Sequence, residues 1–130
     1  MPAELQICPF ADEHLSGVID LFAKERWSYA EDESRTGRAL TAPGSLTLVA
    51  LASGEIAGIV QVLGDGEIQA FLAILLVAQE HRRTGVAAQL MDEALAQTRG
   101  LRLDVISCAD AFYEALGFRQ VSGFRLTLDS

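Results

Sequence analysis

Between Ile68 and Val77 the chain is apolar at every position except Gln69. A strand with so little polar surface has to be covered on both faces, so it belongs in the middle of a sheet. A short polar link follows, then the turn Arg82-Arg83-Thr84-Gly85, then a helical segment from Gly85 to Thr98. That segment sets Val86, Leu90, Met91 and Ala94 on one face and turns Asp92, Glu93 and Gln97 outward. Strand, turn and helix in this order form a potential phosphate site. Free backbone N–H groups at a helix N-terminus point outward, with the positive end of the helix dipole behind them. Gly85 takes away the Cβ that would keep a ligand off the backbone. The turn lacks the lysine of a nucleoside-triphosphate loop and the three glycines of a dinucleotide fingerprint. On its own it serves a structural role as readily as a functional one.

The remaining elements arrange themselves around that unit. Leu5 to Pro9 reads as an opening strand. Asp12 is placed to cap a helix whose apolar residues Leu15, Val18, Ile19 and Phe22 fall at helical spacing. A shorter helix is expected around Glu31 to Leu40, ended by Pro43-Gly44. Ser45 to Leu51 and Glu55 to Leu63 flank the turn Ser53-Gly54 as a hairpin. Gly64-Asp65-Gly66 then leads into the central strand. Arg99 and Gly100 close the long helix, and Leu101 to Ile106 alternates as a strand. The two strands of the unit from Ile68 to Ile106 should be parallel, joined by a right-handed crossover. Ala109 to Leu116 is a short helix closed by Gly117, and Phe118 to Val121 and Phe124 to Leu128 finish the sheet. The expected fold is α+β: one mixed central sheet of six to seven strands with helices on both faces, in a single domain over residues 1–130.

Composition excludes several function classes. The formal net charge of −8 opposes non-specific nucleic-acid binding, which needs a basic face. Cys8 and Cys108 make no disulfide framework, and with His14 and His81 they lack metal-ligand spacing, so no metal is expected. No basic region followed by an apolar run opens the chain, and the run Ala70 to Ala78 is too short to cross a bilayer. A cytoplasmic protein without a membrane partner is therefore the expectation.

Two stretches then resemble one family, the GNAT superfamily of N-acetyltransferases. Arg82, Gly85 and Ala87 match its signature of Gln or Arg, two residues, Gly, one residue, then Gly or Ala. Leu75, Leu76 and Val77 end the preceding strand in the family's manner, and Ala111 to Phe118 is similar to its second cofactor motif. The resemblance covers Leu46 to the C-terminus closely and the first helix more loosely. It implies a GNAT fold with acetyl-CoA as co-substrate. The backbone from Arg83 through Thr84, Gly85 and Val86 to Ala87 would cradle the pyrophosphate, with Arg82 beginning the loop. Leu75 and Val77 would bind the pantetheine arm like an added strand, where the strands Ile68 to Val77 and Leu101 to Ile106 splay apart beside a bulge. Tyr113 would lie near the thioester sulfur. Dimerisation is an expectation of the family and of no particular stretch here.

The implied reaction moves acetyl to a primary amine of a small molecule or peptide. An amine with a pKa near about 10.4 is almost wholly protonated at neutral pH and has to lose a proton before it attacks. A tyrosine such as Tyr113 can protonate the departing thiolate, although its ring also suits plain packing under the last helix. Many relatives keep a general base on the strand before the turn, but Phe71 to Ile74 is entirely apolar here. Glu67, nearer the strand start, is the candidate base, acting through water. The asparagine that many relatives carry before the second motif is absent, leaving Ser107 or Cys108. Trp27, Tyr29 and Phe71, with the acidic run Glu31-Asp32-Glu33, are the candidate acceptor-binding residues. The rival reading is a non-catalytic acyl-CoA sensor or interaction module on the same fold.

Overall fold

A computed structural model of the chain describes residues 4–128. Its elements run β1 (Leu5–Pro9), α1 (Leu15–Lys24), α2 (Glu33–Leu40), β2 (Ser45–Ala52), β3 (Glu55–Gly64), β4 (Gln69–Val77), α3 (Val86–Gln97), β5 (Arg102–Val105) and α4 (Asp110–Ala115). The strands form one sheet in the order β1-β2-β3-β4-β5. The first four pair antiparallel. β4 and β5 pair parallel, as a strand-helix-strand unit requires.

Two apolar layers sandwich the sheet. On one face α3 packs Val86, Leu90, Met91 and Ala94 against Leu48, Val60, Val62 and Leu72, with α4 adding Phe112, Tyr113 and Leu116 at the margin. On the other face α1 and α2 bring Val18, Leu21, Phe22 and Leu40 onto Val49, Ile59, Ile74 and Leu76. β4 therefore contributes side chains to both layers, which is why its sequence could not alternate with polar residues. The entry to α1 differs from the expected Asp12 cap. Asp12–His14 forms a 3-10 turn, and the Ala11 N–H donates to His14 Nδ1 at 2.9 Å. Asp32 caps α2, its carboxylate accepting from the Arg35 N–H at 3.0 Å.

The sheet corrects the expected strand count: among the described residues it has five strands, not six to seven. Phe118 to Val121 and Phe124 to Leu128 have strand-like composition but pair with nothing. Phe124 is 99% exposed, Leu126 83% and Leu128 77%. β propensity says that a segment fits a half-buried pleated surface, and it supplies no neighbour to pair with. The open edge of β5 is the nearest candidate neighbour. Residues 118–125 lie across a cavity from Leu103–Ile106, and among the described residues no backbone hydrogen bond crosses it, so the segment does not extend the ladder.

Candidate active site

β4 is not a regular strand. Gln61 of β3 faces Ile74, but the next residue, Val62, faces Leu72, so Ala73 is an extra residue bulged out of the ladder. Next to this bulge the pairing with β5 stops, its last partners being Leu72 and Val105. From Ala73 to Val77 the backbone of β4 has no strand on that side. A polar clasp holds the paired half closed: Arg102 Nε donates to Gln69 Oε1 at 2.7 Å, and Gln69 Nε2 donates to Asp104 Oδ2 at 2.8 Å. The clasp and the bulge together open the sheet as a V. Leu75 and Val77 lie on the open arm.

The exposed turn lies at the far end of that arm. Gly85, the residue before α3, has φ +87° and no side chain caps the helix. Nothing lies within 4 Å of where a Gly85 Cβ would stand. Arg83 is also left-handed, at φ +65°. A non-glycine residue there costs about 1–2 kcal/mol, as it does at Arg26 and Ser53 in two other connections. The Thr84 hydroxyl donates to the His81 carbonyl, and Arg82 Nε donates to the Val77 carbonyl at 3.2 Å. Arg82 also forms an ion pair with Glu25 at the end of α1. Arg82 thus anchors the loop to β4 and α1, while the N–H groups of Val86 and Ala87 face outward from an uncapped helix start. This geometry suits an extended anion-bearing ligand: an open helix N-terminus, then a strand edge without a partner.

A cavity of about 470 Å³ lies at the β5 end, bordered by Phe71, Asp104, Val105, Ser107 and Tyr113 on the sheet and α4 side. Tyr113 packs edge-on against Phe112 and Phe118, with ring centroids 5.0 and 5.2 Å apart. Burial pushes the Tyr113 phenol above its ordinary value, and a side-chain hydrogen bond with Ser107 pulls the other way. The phenol stays protonated at neutral pH and is available as a donor. Ser107 also accepts the Ala109 N–H at 2.9 Å, tying the start of α4 to β5.

The residues singled out from the sequence fall into three places. Tyr113 and Phe71 border the same cavity. Trp27 and Tyr29 instead stack on the buried Phe22, at 5.6 and 4.9 Å between centroids, within the α1 and α2 layer. Thr36 fixes Tyr29 by donating to its carbonyl at 2.5 Å. Glu67 is exposed in the β3–β4 turn, where its N–H donates to Asp65 Oδ1 at 2.8 Å, and it does not border the cavity. Sequence reasoning passed over Asp104. It stands directly across from Phe71 in the parallel ladder. Leu103 and Val105 pack into the α3 and α4 layer, so by strand alternation Asp104 lies on the opposite face with Phe71. The alternation of Leu101 to Ile106 was the available signal, but only the register with β4 brings Asp104 to the cavity. A larger cavity of about 630 Å³ between α1, the β2–β3 turn and Ala78–Glu80 is bordered by Glu13, Asp20, Glu25, Glu55 and Glu80. Such a rim has the wrong sign for a pyrophosphate.

Comparison with known proteins gives the same picture. The family model described as an acetyltransferase (GNAT) domain matches residues 10–125. No curated protein sequence matches the chain significantly. Among solved structures, a GNAT-family acetyltransferase of Streptococcus pneumoniae superposes with a TM-score of 0.80 at 20% identity, covering 98% of this chain and 100% of its own. An aminoglycoside acetyltransferase from an uncultured soil metagenomic sample gives 0.70 at 22% identity, covering 97% and 99%. A transcriptional regulator of Bacillus halodurans gives 0.76 at 20% identity, covering 96% and 100%. At such identities these likenesses show the fold alone.

Proposed function

Because the chain belongs to the GNAT acetyltransferase superfamily, we propose that it transfers acetyl from acetyl-CoA to a primary amine of a small molecule or peptide, by direct attack in a ternary complex. Membership supports acetyl-CoA-dependent transfer as the general reaction; the acceptor and the residue roles are our reading. The observation that carries it is the edge of β4 left unpaired beyond the Ala73 bulge, which runs toward the uncapped, Cβ-free start of α3.

Acetyl-CoA supplies an activated thioester carbonyl. In this reading the backbone from Arg83 to Ala87 binds the pyrophosphate, and the Arg82–Glu25 pair holds the loop in place. The free edge at Leu75 and Val77 takes the pantetheine as an added strand, and a backbone N–H at or beside Val77 polarises the thioester oxygen. The amine nitrogen bonds to the carbonyl carbon and the carbon–sulfur bond breaks. Tyr113 gives its proton to the departing sulfur. The amine proton goes to a carboxylate, for which there are two candidates: Glu67 through water, and Asp104, which borders the cavity with Tyr113. Trp27 and Tyr29 shape the acceptor side through the Phe22 stack, and Phe71 forms the floor nearest the reacting carbon.

The test combines calorimetry with acetyl-CoA and thiol release across a panel of amines. Tyr113→Phe should lower kcat by about 10²–10⁴-fold and leave acetyl-CoA affinity within a few-fold. Asp104→Asn, which can still accept from Gln69, should lower kcat and leave acetyl-CoA affinity within a few-fold. If Glu67→Gln does so instead, the water-relayed base is correct. The apolar stretch Phe71 to Ile74 favours one rival, an acyl-CoA sensor. Tight binding with no turnover on any amine would establish that rival, and no binding at all would sink both readings.

A further inference from the structure

α1 ends in a cap of the kind that glycine usually makes. The Arg26 N–H donates to the Ala23 carbonyl at 3.1 Å and the Trp27 N–H to the Phe22 carbonyl at 2.9 Å, with Arg26 left-handed at φ +61°. These are the two bonds of a Schellman cap, and the apolar contact that accompanies such a cap is here the stack of Trp27 on Phe22. Arginine in the glycine position costs about 1–2 kcal/mol, so this end of α1 is held less firmly than a glycine would hold it. The turn before α3 is loosely held as well. Arg83 and Gly85 are left-handed, and α3 begins without a side-chain cap for its first N–H groups. One ion pair joins the two segments. Glu25, between α1 and Arg26, pairs with the Arg82 guanidinium, whose Nε donates to the Val77 carbonyl at 3.2 Å. The cavity rim that Glu25 shares carries Glu13, Asp20, Glu55 and Glu80 against His14 and Lys24, acidic surroundings that favour the cation.

We infer that Glu25 is a positioning residue through which the cofactor turn and the Phe22–Trp27 stack tighten together. A pyrophosphate bound at the turn orders Arg82, Arg82 holds Glu25, and Glu25 holds the cap that sets Trp27. This rests on the acetyl-CoA reading above. The strut is stiff because a guanidinium is a planar fork whose donors keep a fixed relation. With Nε on Val77 and a terminal nitrogen on Glu25, the turn cannot shift without disturbing one of the two. At the other end the Glu25 N–H donates to the Leu21 carbonyl at 3.2 Å, and Trp27 follows two residues later. A displacement of Glu25 therefore reaches the ring. A ligand that orders the turn lowers the cost of ordering the cap without touching it, and the link is reciprocal, so a ligand that firms the stack firms the turn. The coupling cannot exceed the strength of the pair that carries it. Arg82 is 47% exposed and Glu25 20%, so water screens that pair.

The experiment compares the full chain with and without coenzyme A, by calorimetry, by hydrogen exchange at the Arg26 and Trp27 amides, and by acrylamide quenching of Trp27, the only tryptophan. Glu25→Gln keeps the shape of the side chain and removes its charge, and Glu25→Ala removes the group. In the wild type, saturating coenzyme A should slow exchange at both amides by about two- to fivefold, the size of one partly exposed ion pair, and reduce quenching of Trp27. Both variants should keep the wild-type far-ultraviolet circular dichroism and still bind coenzyme A, more weakly by about the same factor. The response of the amides and of Trp27 should shrink in Glu25→Gln and vanish in Glu25→Ala, which a merely structural role would not bring about. Bound coenzyme A that leaves the wild-type amides and Trp27 unchanged overturns the inference alone, as does a response undiminished in either variant. Coenzyme A that fails to bind the wild type overturns the acetyl-CoA reading and this inference with it.

Discussion

Gly85 and Asp65 each hold a turn, but by different physics. At Gly85 the backbone is left-handed at φ +87° and a Cβ would meet no atom within 4 Å. Gly85→Ala should therefore lose about 1–2 kcal/mol to backbone strain and nothing to crowding. Its larger effect should be on coenzyme A, whose pyrophosphate would meet the new methyl group; calorimetry should show affinity falling by more than tenfold. Arg83→Gly is the companion variant, since it keeps a left-handed residue comfortable and removes only the guanidinium. Unchanged affinity in Gly85→Ala would move the pyrophosphate elsewhere. At Asp65 the carboxylate accepts backbone N–H groups from Ile68 and Glu67 at 2.8 Å and from Gln69 at 3.3 Å, and these bonds lower its pKa. A lowered folded-state value means that the stabilisation is present above the unfolded value, near about 3.9, and is lost as pH falls through the folded value. Wild type should accordingly lose more melting temperature than Asp65→Asn between neutral and strongly acidic pH, and parallel acid profiles would contradict this account.

At the scale of elements the decisive feature is the bulge in β4. Leu72 lies in the α3 layer and Ile74 in the α1 layer, although they are two apart, because Ala73 is the extra residue between them. Deleting Ala73 would leave Leu72 and Ile74 adjacent, so each keeps its face, and the ladder with Gln61 and Val62 becomes regular. The deletion variant should fold cooperatively, let β4 follow β5 further, and lose acetyl-CoA binding; retained binding in calorimetry would show that the open V is not needed. This bulge also marks where sequence reading reaches its limit. The apolar run, the glycine turn and the face Val86, Leu90, Met91 and Ala94 were legible because period and backbone freedom are local properties. The parallel pairing of the strands around α3 followed from their connection. Which residue bulges depends on the register of β4 with β3, and that Asp104 faces Phe71 depends on the register of β4 with β5, strands more than 30 residues apart in the chain. The final segment was misread for the opposite reason: its local pattern is that of a strand, and a strand also needs an edge to join.

The whole molecule has one sheet and two apolar layers, and whether these behave as one body can be tested with a single probe. Trp27 is the only tryptophan and packs in the α1 and α2 layer against Phe22. Leu90 lies fully buried in the other layer, beneath α3. Leu90→Ala should cost about 2–5 kcal/mol and Phe22→Ala about 3–5 kcal/mol, since each leaves a cavity in close-packed surroundings. Against a typical total of about 5–15 kcal/mol, either is a large share. The two layers share β2 and β3, buried in their central stretches, and β4, where buried and half-buried residues alternate, so neither layer can melt without exposing the back of the other. Leu90→Ala should therefore shift the Trp27 fluorescence transition by as much as the far-ultraviolet circular dichroism transition, even though the mutation lies across the sheet from the reporter. If Trp27 keeps its wild-type midpoint while the circular dichroism midpoint falls, the layers unfold separately. The α1 and α2 layer with its Phe22 stack, where we propose the acceptor side, would then be able to loosen without disturbing the turn before α3.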